Sequence, residues 1–234
     1  MKVIILAGGL GTRISEETSD KPKPMVRIGD KPILWHLMNI YASQGYLDFV
    51  VATGYKGEVI HEWIEKELCE EWNVSAFDTG ETTLTGGRIK RVMESLPGER
   101  IMATYGDGLS NVNLVELISF HERLDKKATV TAVRPPARFG VLESENGLVT
   151  HFGEKNQADA GWINGGFFVL EPEVVQYIDT DNEAFEADCM PRLVSESELA
   201  AYHHSGFWQP MDTLREKELL TNMSKDNPVP WLKI

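Results

Sequence analysis

The stretch Val3-Ile4-Ile5-Leu6-Ala7-Gly8-Gly9-Leu10-Gly11-Thr12-Arg13, followed after an acidic segment by Lys21-Pro22-Lys23-Pro24-Met25, decides how the rest of the chain is read. Val3 to Leu6 is a short, β-branched apolar run, the pattern of a buried parallel strand. The glycines at 8, 9 and 11 carry no Cβ, so backbone N–H groups there can approach an anion closely. Arg13 and Lys23 add fixed positive charge, Arg as a planar fork for phosphate oxygens and Lys as a compact point charge. Strand, glycine loop and two cations together predict a phosphate-gripping loop. Two commoner phosphate loops are excluded. The P-loop requires Gly-Lys-Ser/Thr, and the chain has Gly11-Thr12-Arg13; the dinucleotide fingerprint fails because Gly9-Leu10-Gly11 leads to Thr12, Arg13 and Ile14 where a third glycine belongs.

Beyond the loop, Lys31-Pro32 followed by apolar residues at helical spacing from Ile33 to Tyr41, ending near Gly45, predicts an amphipathic helix with proline at its start and glycine past its end. Phe49 to Thr53 reads as a second buried strand, Gly57 to Leu68 as a helix, and Trp72 to Phe77 as a third strand. Thr85-Gly86-Gly87-Arg88 opens a helix with Ile89, Val92, Met93 and Leu96 as its buried stripe, and Ile101 to Tyr105 follows as a strand. Alternating strands and helices predict parallel βαβ units. Asp107 stands between two glycines just past a strand, at the edge where ligand sites collect in open α/β sheets. Asn113 is the expected N-cap for Leu114 to Leu124.

The pattern then changes. Ala128–Val133, Phe139–Glu143 and Leu148–Phe152 read as short strands joined by turns, more like hairpins than crossovers. Ile163 to Leu170 reads as a strand entered through Gly165-Gly166, where a small ligand could lie against the backbone. Asp212 or Thr213 would cap a terminal helix from Leu214 to Met223. Several conspicuous groups have plain structural readings: His203-His204 as a polar strand end, the acidic run Glu65 to Glu71 as a solvated helix face, and most of Trp162, Phe167, Phe168, Phe207 and Trp208 as core.

At 234 residues the chain fits one large α/β domain with a sizeable core. A formal net charge of −13 argues against nucleic acid or an anionic membrane surface as partner. No stretch approaches the ~20 apolar residues of a membrane span. Two cysteines, Cys69 and Cys189, are too few for a disulfide framework, and the chain reads as cytoplasmic. A protein this acidic that binds phosphates must concentrate its Lys and Arg at one place, or recruit a divalent cation there.

The glycine loop, with Lys21 to Met25, resembles the signature of the sugar-1-phosphate nucleotidyltransferases. Ile14-Ser15-Glu16-Glu17-Thr18 within it is more narrowly similar to the glucose-1-phosphate cytidylyltransferases. The likeness continues through Gly29 to His36, Thr79 to Arg91, Tyr105 to Gly108, Ile163 to Phe168 and Gly206 to Arg215, so it covers essentially the whole chain. It implies a Rossmann-like, mostly parallel mixed sheet flanked by helices, in one nucleotidyltransferase domain with a smaller β-rich acceptor-binding portion. Residues 1–125 would mainly bind nucleotide and 126–234 mainly the sugar phosphate. The implied reaction joins CTP and α-D-glucose 1-phosphate to give CDP-glucose and pyrophosphate, with Mg²⁺, in a homo-oligomer. Another NTP, dTTP or UTP, another phosphorylated acceptor, or a non-catalytic nucleotide-sensing module remain as alternatives.

By the same resemblance, Arg13 and Lys23 are catalytic, and Leu6, Ala7, Gly8, Gly9, Gly11, Thr12, Arg13, Thr85, Gly86, Gly87 and Asp107 bind the nucleotide. Gly140, Glu154, Lys155, Asn164 and Gly165 bind the sugar phosphate, and Asp107 and Asp212 hold the metal. Read without the resemblance, an aspartate in Gly-Asp-Gly or Met-Asp-Thr is an ordinary turn or cap residue. In two places the sequence departs from the family pattern. Only a short linker joins Ile64-Glu65 to Trp72-Asn73, where the cytidylyltransferases carry some further residues that contribute to subunit contacts, and Glu154-Lys155-Asn156 replaces Glu-Lys-Pro.

Overall fold

All four residues of β1 (Val3–Leu6) are buried. They alternate between two cores: Val3 and Ile5 face one, Ile4 and Leu6 the other. A strand covered on both faces belongs in the middle of a sheet, and burying each such side chain contributes about 1.5–3 kcal/mol. The computed structural model describes residues 1–68, 71–135, 140–145, 148–154 and 161–232. From β1 the chain passes through a short helix, α1 (Ser15–Thr18), a two-residue ladder of β2 (Arg27–Ile28) and β3 (Lys31–Pro32), and helix α2 (Ile33–Ala42). Next come β4 (Asp48–Thr53), α3 (Gly57–Lys66), β5 (Asn73–Asp78), α4 (Thr85–Glu94) and β6 (Ile101–Tyr105). These strands are parallel, with β4 and then β5 on one side of β1 and β6 on the other. Strand order therefore reverses between β1 and β6, which opens a crevice at their carboxyl ends, beside Ala7 and Gly106.

The second half adds β7 (Gly108–Ser110), α5 (Leu114–Leu124), β8 (Ala128–Val133), β9 (Gly140–Glu145), β10 (Leu148–Glu154), β11 (Ile163–Asn164) and β12 (Phe168–Leu170). It ends with α6 (Met190–Ser195), β13 (Leu199–His204), β14 (Trp208–Pro210) and α7 (Leu214–Met223). The main sheet runs β11-β8-β12-β6-β1-β4-β5, with β13 also paired to β8. The mostly parallel, helix-flanked α/β sheet is thus the predicted one. Its antiparallel members are β12, against both β6 and β8, and β11, against β8.

Three details differ from the sequence reading. Ala128–Val133 is not a hairpin strand but an interior strand of the main sheet, parallel to β13, because all six of its residues are buried on both faces. Only β9 and β10 form the expected hairpin ribbon. The strand predicted from Ile163 to Leu170 is split. Between Asn164, opposite Ala132, and Val169, opposite Thr129, it carries two more residues than its partner. Gly166 (φ 77°) and Phe167 (φ 48°) take up the surplus in the left-handed region. Phe167 is the costly one, having a Cβ, and it is held by burial and by stacking on Tyr41, ring centroids 5.7 Å apart.

The pairing of β7 with β14 matters most for function. Pro210 lies opposite Gly108, and Met211 N–H donates to the Asp107 carbonyl at 2.9 Å. Residues a hundred positions apart in the chain are thereby joined at one sheet end. Thr213, not Asp212, caps α7, in a reciprocal box with Glu216. The Asp212 carboxylate is left for other work. Among the described residues no helix is long and apolar enough to cross a membrane, and Cys189 is buried with a free thiol.

Candidate active site

The glycine loop leaves β1 at the sheet's carboxyl edge and is tied to its neighbours backbone to backbone. Ala7 N–H donates to the Ala52 carbonyl at 2.9 Å, and Tyr55 N–H to the Gly8 carbonyl at 3.2 Å. Gly11 turns the chain with φ 65°, and the Thr18 hydroxyl donates to its carbonyl at 3.1 Å. Behind the loop lies Arg88, a residue the sequence reading passed over. It is only 4% exposed. Its guanidinium donates to the carbonyls of Gly8 (3.0 Å), Thr53 (2.9 Å), Gly80 (2.8 Å) and Glu81 (3.2 Å) and to the Thr79 hydroxyl (2.6 Å). Burial pushes its pKa down, but a guanidinium remains charged in a protein. One cation thus pins the glycine loop to the ends of β4 and β5. Gly8 must be glycine for this, since a Cβ there would lie 2.1 Å from the Arg88 Nη1.

Across the crevice the charges converge. Lys23 Nζ donates to Asp107 Oδ2 at 2.6 Å and to Asp212 Oδ1 at 2.7 Å, and Arg13 Nη1 reaches Asp212 Oδ2 at 3.2 Å. Each partner has its own support. Prolines 22 and 24 fix the backbone of Lys23 in a short 3₁₀ turn, and the Pro24 ring packs where a side chain on Gly106 would stand, 2.8 Å from its Cβ position. Asp107 and Asp212 are set by the β7–β14 ladder. Burial alone would lower the Lys23 pKa, but the two carboxylates outweigh it and hold the ammonium above its ordinary value. Burial likewise would raise Asp212, and Lys23 and Arg13 outweigh it and hold that carboxyl below the usual range. The two shifts agree that the pair is ionised across neutral pH. Two carboxylates whose oxygens converge on one cation suit a small divalent metal, which is commonly held by one or two carboxylates with phosphates and water completing the shell.

The walls enclose about 1000 Å³, ample for a nucleotide and a sugar phosphate together. Of the residues predicted from sequence, Leu6, Ala7, Gly8, Gly9, Gly11, Thr12, Arg13, Lys23, Thr85, Asp107, Asn164 and Asp212 line this cleft. Among the described residues no histidine or cysteine does. A second network crosses the floor. Asn164 donates to the Tyr105 phenol at 2.7 Å, Tyr105 donates to Glu186 Oε1 at 2.6 Å, and Thr85 donates to Glu186 Oε2 at 2.8 Å. Burial, reinforced by Glu186, pushes the Tyr105 phenol well above its ordinary pKa, so it stays a donor. Glu186, Thr83 and Leu84 line the cleft without having been anticipated as ligand-facing residues, and of the aromatic residues that could either stack on a ligand or join the core, Trp208 lines it too.

Gly86 and Gly87 take a different place from the predicted one. They do not line the cleft but sit where α4 packs against residues 181–185. A Cβ on Gly86 would meet the Glu183 carbonyl at 2.8 Å, and one on Gly87 the Asp181 Cα and carbonyl at 2.6 Å. Two amides at the helix start are committed to the same segment: Leu84 N–H donates to the Asp181 carbonyl and Gly86 N–H to the Glu183 carbonyl. Close backbone packing, not ligand approach, is what these glycines permit. Gly165 is also outside the cleft lining; its carbonyl accepts from the Trp208 indole N–H at 2.9 Å. Gly140 and Glu154 pair with each other at one end of the β9–β10 ribbon. Lys155, like Phe139 and Cys69, lies outside the described residues.

Comparison with known proteins shows the family to which the chain belongs. The family profile described as "Nucleotidyl transferase" matches residues 2–224. The chain is 46% identical over 253 residues to glucose-1-phosphate cytidylyltransferase of Salmonella typhi, covering 99% of this chain and 98% of that protein. It is 41% identical over 252 residues to a probable glucose-1-phosphate cytidylyltransferase of Bacillus subtilis strain 168, covering 99% of each. Both alignments run longer than the 234 residues present here, so the relatives carry segments with no counterpart in this chain. Among solved structures, HddC from Yersinia pseudotuberculosis complexed with GMP-PN superposes with a TM-score of 0.77 at 26% identity, covering 96% of this chain and 99% of that one.

Proposed function

The chain belongs to the nucleotidyl transferase family, and we propose that it transfers the cytidylyl group of CTP to the phosphate of α-D-glucose 1-phosphate, giving CDP-glucose and pyrophosphate. The observation that carries this reading is the meeting of Arg13, Lys23, Asp107 and Asp212 in one cleft, taken with 46% identity to a cytidylyltransferase along the whole chain.

An oxygen of the acceptor phosphate attacks the α-phosphorus in line, and the bond from that phosphorus to the bridging oxygen of pyrophosphate breaks. A phosphate monoester has a second pKa of about 6, so the attacking oxygen is already ionised at neutral pH and needs no general base. Among the described residues that line the cleft none is a histidine, in keeping with that. What the reaction needs is positioning and countercharge for two anions. The glycine-loop amides and Arg13 hold the β and γ phosphates. Lys23 moves its charge to the α-phosphate, where negative charge grows in the transition state. Thr83, Leu84 and Thr85 form the wall against which the base lies. Asn164 and Glu186, coupled through Tyr105, face the acceptor hydroxyls, with Glu154 and Lys155 completing the acceptor side. Enzymes of this family generally use a divalent metal; we assign it as Mg²⁺ held by Asp107 and Asp212, where it would offset phosphate charge. Residues 1–125 supply most of the nucleotide side and 126–234 most of the acceptor side.

The test is a pyrophosphate-release screen of four NTPs against a panel of sugar phosphates. Turnover is expected with CTP and glucose 1-phosphate. Turnover with UTP or dTTP but not CTP would move the assignment to another nucleotide. No turnover with any NTP would favour a nucleotide-sensing role.

A further inference from the structure

Two sites compete for the Lys23 ammonium. It bridges Asp107 Oδ2 and Asp212 Oδ1 at 2.6 and 2.7 Å, yet its chemistry is needed at the α-phosphate. Arg13 engages the remaining oxygen of Asp212 at 3.2 Å. Three of the four oxygens of the carboxylate pair are thus already bonded to the protein's own cations. A divalent ion seated on these carboxylates would draw on the same lone pairs and stand within a few ångströms of a buried ammonium. Like charges at that separation strongly oppose one another away from bulk water. The ammonium and the metal are therefore alternatives at this spot.

The surrounding structure lets them exchange without moving the backbone. The carboxylates are fixed by the β7–β14 ladder and the Met211–Asp107 hydrogen bond. Lys23 has its main chain held between two prolines, so only its four-carbon stem is free to swing. That stem starts beside the glycine loop: the Lys23 Cβ lies 3.2 Å from where a Cβ on Gly11 would be. A phosphate seated on the loop is within the same side chain's reach.

We propose that Lys23 is an internal counter-ion that reserves the carboxylate pair, so that the metal site becomes available only when nucleotide phosphate draws the ammonium away. This rests on the nucleotide-binding reading of the loop. It makes metal affinity contingent on nucleotide: weak in the free protein, strong in the complex. The coupling is reciprocal, as any linkage must be. It also keeps Asp107 and Asp212 from lying unpaired and mutually repelling between turnovers.

Mn²⁺ titration of the nucleotide-free protein, followed by the electron paramagnetic resonance signal of free Mn²⁺, tests this without any turnover. Wild type is expected to bind Mn²⁺ only at millimolar concentration or above. Lys23→Met, which keeps the stem and removes the charge, is expected to bind at least about tenfold tighter. That gain should vanish when Asp212→Asn is added in the same background. Micromolar binding by wild type, no tightening in Lys23→Met, or a gain that survives Asp212→Asn would each overturn the proposal. Circular dichroism shows whether the variants fold. If Lys23→Met does not, the wild-type titration alone decides. Failure of the pyrophosphate screen would remove the cytidylyltransfer reading while leaving this metal result to stand or fall separately.

Discussion

Two glycine clusters, Gly8-Gly9-Gly11 and Gly86-Gly87, look alike in the sequence, each placed at a strand-to-helix approach and each suited to a ligand. In the structure the first lines the cleft and the second is walled in by residues 181–185. A missing side chain permits close approach of anything, and the neighbour that arrives is decided by distant parts of the chain. Around the first cluster the neighbours are side chains, Arg88 at Gly8 and Thr18 with Lys23 at Gly11, and open space at Gly9; around the second they are chiefly another segment's backbone.

Substitutions in the two clusters should separate those roles. The largest loss is expected for Gly8→Ala. Its Cβ would lie 2.1 Å from the Arg88 Nη1, and displacing that guanidinium breaks a set of hydrogen bonds to buried acceptors, each worth about 1 kcal/mol net. Together these should lower stability by about 2–4 kcal/mol and collapse kcat/KM for CTP, read by thermal melts and initial rates. If Gly8→Ala retained wild-type kcat/KM, Arg88 would not be what shapes the loop.

Gly87→Ala comes next. Alanine gains about 1 kcal/mol of helix propensity over glycine. The gain is outweighed by contact with the Asp181 backbone at 2.6 Å, since overpacking against atoms that cannot rotate away costs about 1–3 kcal/mol or more. The melting temperature should fall by a few degrees, about 2–4 °C per kcal/mol for a chain of this size, while KM for CTP in the folded enzyme stays near wild type. A large rise in KM without loss of stability would return Gly87 to the ligand.

The smallest effect is one that touches neither cluster and so gives their baseline. Burial lowers the pKa of His36 and of His121 below the ordinary 6.5. The folded state therefore resists protonation that the unfolded chain accepts. Their contribution to stability is complete above pH 6.5 and is lost as pH falls from there through the depressed folded values. Melting temperature against pH should show this gentle decline, shallower in His121→Gln. A curve flat below pH 6.5 would contradict it.

Much of the fold was legible in the sequence because its strands are buried on both faces and announce themselves as apolar runs, as at Val3–Leu6 and Ile101–Tyr105. The place of Asp107 at a strand end, where ligand sites collect, was legible, while its proposed role as a metal ligand came only from the family resemblance. The union of Asp107 with Asp212 was not legible, since a three-residue antiparallel ladder carries no periodic signal and only a family pattern links the two aspartates. Arg88 could have been noticed: it sits one residue from Ile89 and four from Val92, on the buried stripe of α4, where a charge signals a partner. Glu186 gave no such signal, because the π-helical turn Phe185–Cys189 follows neither a strand nor an α-helix period. The break at Gly166 and Phe167 was half legible: the glycine pair marks it, but the left-handed Phe167 depends on Tyr41 beneath it.

The carboxylate-bridged cation centre is the part on which the proposed chemistry depends, and Asp212→Asn addresses it most directly. The substitution keeps the size of the side chain and the Thr213 cap while removing one of the two charges that bind Lys23 and Arg13. Measured as pyrophosphate released from CTP and glucose 1-phosphate, its kcat should fall at least about a hundredfold, the scale of losing one preorganised electrostatic partner, with the fold intact by circular dichroism. A folded Asp212→Asn enzyme turning over at the wild-type rate would contradict the account.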